Sequence, residues 1–218
     1  MSDALQIIHR EHRALAAVVH CLEHVLRDID DKRIEPDFGM FEAVLDYVED
    51  FPDRFHHPKE DDFLFTALRN RDPSSRVTLD ELQEQHRRGE RLIADLRWKL
   101  DDWKKDPDGG YKAFREAALD YVDFQRRHMA LEESKILPSA RKHLTENDWR
   151  AINAAFNDND DPIFGDRPRE AYDKLFARIV ELAPAPYGLA EPPKLKKPPE
   201  QTFFPRYVRQ EVLNLPWI

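Results

Sequence analysis

Two stretches of this 218-residue chain carry residue types that could do metal chemistry. His56-His57-Pro58-Lys59-Glu60 and His128-Met129-Ala130-Leu131-Glu132 both read His-x-x-x-Glu. On a helix, residues four apart share one face, with Cβ atoms about 5–6 Å apart. An imidazole and a carboxylate placed this way can reach one metal ion. The flanks match too: Glu60-Asp61 aligns with Glu132-Glu133, and Leu64-Phe65 with Ile136-Leu137. A surface ion pair along the helix would explain a single copy. Two copies with the same acidic and apolar offsets favour a metal role.

The elements that must position these residues are helical. Charged residues make up 35% of the chain and there are only six glycines, a composition that suits long amphipathic helices. Apolar residues recurring every three or four positions predict a first helix over 3–30. A second is expected over about 37–70, kinked at Pro52 and Pro58, or else split into two helices near 52. Thr78-Leu79-Asp80-Glu81 reads as a capping box that starts a third helix at about 79, running to 105. Asp106-Pro107-Asp108-Gly109-Gly110 is a loop. A fourth helix is expected over 111–143, bent near Pro138, and a short fifth over 146–157, capped by Thr145. A loop at 157–162 and a sixth helix at 168–182 follow. Four long helices with short links predict an all-α, up-down-up-down four-helix bundle. From 184 the character changes: half of the sixteen prolines lie there, among aromatic residues. That stretch is expected to be an extended arm packed on the bundle or on a second subunit. The chain thus divides into a bundle over 1–160 and a C-terminal helix with arm over 161–218.

Such a bundle brings two more histidines to the same depth. His12 and His86 lie roughly 12–14 Å from the starts of their helices, and His56 and His128 roughly 21 Å from the ends of theirs. Up-down-up-down packing puts those starts and ends together, so all four fall in one half of the bundle. Ile8, Leu15 and Val19 flank His12 on its face, as Leu82 and Ile93 flank His86, so both point inward. Inward imidazoles and carboxylates are costly unless paired or metal-bound. Four histidines and two glutamates match a dinuclear site, with Glu60 and Glu132 as bridges, two imidazoles per metal and an oxo, hydroxo or water bridge. A free coordination position would remain for a small ligand such as dioxygen, nitric oxide or peroxide. Mixed imidazole and carboxylate ligands suit iron, with manganese or zinc as alternatives.

The segments Glu11-His12-Arg13-Ala14-Leu15, Phe55-His56-His57-Pro58-Lys59-Glu60, Glu84-Gln85-His86 and His128-Met129-Ala130-Leu131-Glu132-Glu133 resemble the hemerythrin-like, or HHE cation-binding, domain. The resemblance covers about residues 1–160. It implies a four-helix bundle with a non-haem di-iron centre, with His12, His56, Glu60, His86, His128 and Glu132 as ligands. It also implies oxygen or iron sensing, or a part in oxidative or nitrosative stress defence and iron–sulfur repair. Oxygen-carrying hemerythrins have a second histidine four residues on in the third helix. Here that position is Glu90, either a third carboxylate ligand or a solvated side chain.

The remaining candidates read more plainly. His9 is expected to be partly exposed or behind the ligands. His57 is expected to face outward or stand behind His56. His24 and Asp28 read as an exposed pair, His20 and His143 as ordinary surface or core residues, and Tyr121 as a core tyrosine. Cys21, the single cysteine, lies on the far side of the first helix from His12 and allows no intrachain disulfide. The net charge of −9 argues against nucleic acid or anionic lipid as a partner. No stretch approaches the length of a membrane span, and the N-terminal residues do not resemble a secretory signal. A cytoplasmic protein is expected. Three functions fit: a di-iron protein that binds or senses a diatomic ligand, a di-iron enzyme of stress defence or cluster repair, and a metal-braced assembly module that forms a homodimer through its arm.

Overall fold

The computed structural model describes residues 3–157, so the expected loop beyond 157, the sixth helix and the proline-rich arm lie outside the described residues. Those described are helical, with no strand among them, and form five helices: α1 (Asp3–Asp30), α2 (38–71), α3 (Arg76–Lys105), α4 (110–143) and α5 (Glu146–Asn157). None is long and apolar enough to cross a membrane.

Two of the helices change form along their length. α2 begins as α-helix over Phe38–Val48 and widens to π-helix over Glu49–His56. It closes over His57–Lys59, widens again over Glu60–Phe65 and ends as α-helix over Thr66–Arg71. α4 is α-helical over Gly110–Leu131, π over Glu132–Ile136 and α again over Leu137–His143. Prolines account for the placement. A proline has no N–H to donate, and its ring crowds the carbonyl four residues back. A π turn reaches five residues back instead: the His57 N–H donates to the Pro52 carbonyl, and the Leu137 N–H to that of Glu132. Pro52, Pro58 and Pro138 all lie in or beside these turns, and both helices run through them without a break.

Helix ends follow local chemistry. Asp37 caps α2 by accepting the N–H groups of Gly39 and Met40. α3 starts at Arg76, three residues before the expected start, so Thr78 and Glu81 lie inside it. The reason is Asp72, which accepts the Ser74 N–H and the Ser75 hydroxyl and winds Pro73–Ser75 into a 3-10 turn that feeds the helix. The Ser139 hydroxyl donates to the same carboxylate, tying this turn to the end of α4. Thr145 does cap α5: its hydroxyl and N–H both donate to Asp148, whose own N–H donates back to the Thr145 hydroxyl. α4 starts tight against α3, and a Cβ at Gly110 would run into the Trp103 backbone.

Contacts between helices join opposite ends. Tyr111, at the start of α4, donates its hydroxyl to the Leu26 carbonyl and to Asp30 at the end of α1. Lys104, late in α3, pairs with Glu42, early in α2. Arg69, late in α2, pairs with Asp80, early in α3. The packed interior divides in two. One apolar cluster runs from Leu15 to Leu26 in α1, Met40 to Phe55 in α2, Ile93 to Trp103 in α3 and Phe114 to Met129 in α4. The other takes Ala4 to Ile8, Leu64 to Leu68, Leu79 and Leu82, Ile136 to Leu144, and Ile152 and Phe156 of α5. Each long helix crosses from one cluster to the other, and the crossing points are His12, His56 to Glu60, His86, and His128 to Glu132.

Candidate metal centre

The six residues expected to be ligands meet in that crossing layer. All are buried; Glu60 and Glu132 have no exposed surface, and His86, the most exposed of the six, retains 5%. Glu60 turns one oxygen to each side: Oε1 is 3.3 Å from His56 Nε2, and Oε2 is 3.6 Å from His86 Nε2. Glu132 does the same. Its Oε2 is 3.2 Å from His12 Nε2, and its Oε1 is 3.7 Å from His86 Nε2 and 3.6 Å from His128 Nε2. The layer therefore has two halves, His12 with His56 and His86 with His128, and each carboxylate reaches into both. Ring centroids are 5.2 Å apart in the first pair and 5.0 Å in the second, each pair edge to face.

None of these inward atoms makes a hydrogen bond. Both oxygens of Glu60 and of Glu132 and the Nε2 atoms of His12, His56, His86 and His128 are buried without a partner. Buried polar atoms are nearly always satisfied, so a converging set of orphaned acceptors fits a cation. His12, His56 and Glu60 form one group, and Glu60, His86, His128 and Glu132 a second; within each, the ligand atoms lie within 4.8 Å of one another.

The other ring nitrogen of each histidine is held. His12 Nδ1 meets Glu133 at 3.1 Å, His56 Nδ1 meets Glu11 at 2.8 Å, His86 Nδ1 meets Asp61 at 3.1 Å, and His128 Nδ1 meets Gln85 at 3.1 Å. A proton on Nδ1 bonded to oxygen leaves Nε2 as a free lone pair and fixes the ring's orientation, the usual arrangement behind a metal-bound histidine. These four partners were not assigned a role from sequence. Their signal lay in the duplication: Glu11 and Gln85 each precede a ligand histidine, and Asp61 and Glu133 each follow a ligand glutamate.

Without an ion, protons sit where the charges converge. Burial pulls His12 down, but Glu132 and Glu133 outweigh it and push the imidazole up to about 9. His86 is likewise pushed up to about 9, burial being outweighed by Asp61 and Glu132. At His56, Glu60 and Glu11 overcome burial and raise it well above the ordinary value. His128 moves the other way, down to about 4, because burial and the neighbouring His86, His12 and His56 outweigh Glu132. Burial and the Glu132 charge raise Glu60. Glu132 is held well below the usual carboxylate range, despite burial, by His128, His12 and His86.

Of the other readings, those of His57 and of Asp28 are corrected, while Glu90, His9 and Tyr121 lie as expected. His57 does not face outward; it is 5% exposed and lies against His86 and His128. Asp28 is buried rather than exposed and holds Arg33 at 2.7 Å, while His24 Nδ1 meets the His20 carbonyl. Glu90 is exposed and belongs to none of the ligand groups, in keeping with a solvated side chain. His9 is partly exposed, with Nδ1 3.4 Å from Glu133. Tyr121 is a core tyrosine whose hydroxyl accepts from Gln125. Cys21 is buried among apolar residues, and burial pushes its thiol up to about 12.

One family model, that of the hemerythrin HHE cation-binding domain, matches residues 3–140. No curated protein and no solved structure matches the chain.

Proposed function

The chain belongs to the hemerythrin HHE cation-binding family, and from that premise we propose that it holds two iron ions and binds or senses a small diatomic ligand such as dioxygen or nitric oxide. His12 and His56 would hold one ion, His86 and His128 the other, with Glu60 and Glu132 bridging. The observation that carries this reading is the aim of the two carboxylates, each with one oxygen toward each histidine pair. A single-ion site would leave one pair and two oxygens orphaned. The end-to-end contacts among α1 to α4 support the up-down-up-down bundle that such a site needs. Iron in this ligand set would supply reversible electron transfer and a coordination position for the diatomic ligand. The protein's part is to hold the imidazoles neutral on Nε2 and to keep water out. The same reading puts the protein in the cytoplasm, with a homodimer formed through 184–218. The net charge of −9 supports the absence of nucleic-acid and membrane partners.

Metal analysis with an absorption spectrum tests this. After anaerobic ferrous loading, two ions per chain are expected, with new near-ultraviolet bands on exposure to oxygen or nitric oxide. A loading that saturates at one ion, or a spectrum indifferent to both gases, overturns the proposal.

A further inference from the structure

A second group of metal-binding residue types lies outside the buried layer. His20, Glu23 and His24 share one face of α1, with the two histidines roughly 12 and 18 Å beyond His12 along the helix. All three residues are half-buried. One nitrogen of each ring and one oxygen of Glu23 lie within 4.8 Å of one another.

Local bonds aim these atoms. His24 Nδ1 donates to the His20 carbonyl, one turn back, at 2.9 Å. That bond fixes the ring and leaves the lone pair on Nε2. The His20 and His24 ring centroids are 3.9 Å apart and their planes are tilted by 54°, so the in-plane lone pairs are not held parallel. Burial and the neighbouring His24 hold the His20 imidazole below its ordinary value, which keeps it neutral. Glu23 is held from α4: Arg126 meets its Oε2 at 2.5 Å, while Arg27 meets Oε1 at 3.7 Å. Arg126 also lies 4.0 Å from Asp123. Two arginines are thus matched by two carboxylates, and this face carries little net charge. It offers little pull on magnesium or calcium, which need several oxygen ligands. It does offer two neutral imidazoles four residues apart on a helix, a spacing that grips zinc.

We propose that His20 and His24 chelate one divalent ion that prefers nitrogen, zinc or copper(II), with Glu23 Oε1 as a third ligand, at a half-exposed site on the seam between α1 and α4. Ferrous iron stands lower in the affinity order and is not the ion for this site. The site is independent of the two-ion reading above. An ion here clips one turn of α1 and is open to solvent, unlike one held in the buried layer.

The test uses the full chain with its buried layer first filled by zinc. Copper(II) is then added below one equivalent and followed by paramagnetic broadening of the amide signals. Signals around His20 to His24 in α1, and of Asp123 and Arg126 in α4, should broaden first. Calorimetry with zinc should show one weaker binding event beyond the tight ones. His20→Gln and His24→Gln should each weaken that event by at least the roughly tenfold that losing even a residue behind a ligand costs, and leave the tight uptake unchanged. Sharp signals around His20 and His24 in the unmodified chain overturn the proposal, whether or not the variants fold. So does a weaker zinc event that is missing from the unmodified chain or persists at full strength in either variant.

Discussion

Four imidazoles lean on four oxygens, and only the one behind His128 is uncharged. Glu133, Glu11 and Asp61 are carboxylates, whereas Gln85 is an amide. Those carboxylates help His12, His56 and His86 to keep protons that His128 gives up. The sign for stability follows. With folded-state values of about 9 against an ordinary 6.5, His12 and His86 stabilise the metal-free chain fully below pH 6.5, and that contribution is lost as pH rises to 9. The urea midpoint of the metal-free protein should therefore fall between pH 6.5 and pH 9. A bound ion replaces the protons, so the loaded protein should gain over the metal-free one across that window, with proton release on binding. A metal-free midpoint that rises between those pH values would contradict this assignment of protons. At this scale the sequence was only half legible. Duplicated spacing picked out four of the inward residues, His56, Glu60, His128 and Glu132, and depth along the helices added His12 and His86. Their partners stayed hidden because they lie between 25 and 121 residues away, on other helices, where no local period connects them.

Helices were the most legible level, because each long one keeps its apolar period over many turns. The exceptions have local causes. The capping box at 78–81 fits the pattern, but Asp72 gathers the two serines after it and starts α3 sooner. The π turns were visible only as prolines in the wrong place. A widened turn inserts the equivalent of one extra residue and resets which face points inward, and such turns often occur at functional sites. Here they bracket His56, Glu60 and Glu132, letting both neighbours of the first motif, His56 and His57, reach the interior. The α5 cap offers a clean check. Thr145→Ala should cost about 1 kcal/mol in urea unfolding, as other N-caps do, with metal content unchanged, since Thr145 touches Asp148 and not the polar layer. Loss of bound metal in this variant would mean that α5 does more than cover the smaller cluster.

Across the whole molecule, a sheet of orphaned polar atoms separates two apolar clusters, and the four long helices are what crosses it. In the metal-free state the clusters meet across the histidine–glutamate pairs of that layer rather than through apolar packing. Regions of a fold that share few stabilising contacts open separately. Amides around Ala4–Ile8, Leu64–Leu68 and Ile136–Ala140 should exchange with deuterium distinctly faster than those around Val18–Leu26 or Leu96–Trp103 once metal is stripped. The two sets should converge when the ion is restored. Equal rates in the stripped protein would show that the clusters are coupled without metal. The burial of the layer has a kinetic side as well. With apolar packing above and below and almost no exposed surface on the six residues themselves, an ion held there would have no standing route to solvent through the described residues. Its residence time is then set by how often the smaller cluster breathes, as well as by how firmly the ligands grip. A chelator added outside would wait on the protein's own opening, so the lifetime of the bound ion becomes a readout of the fold.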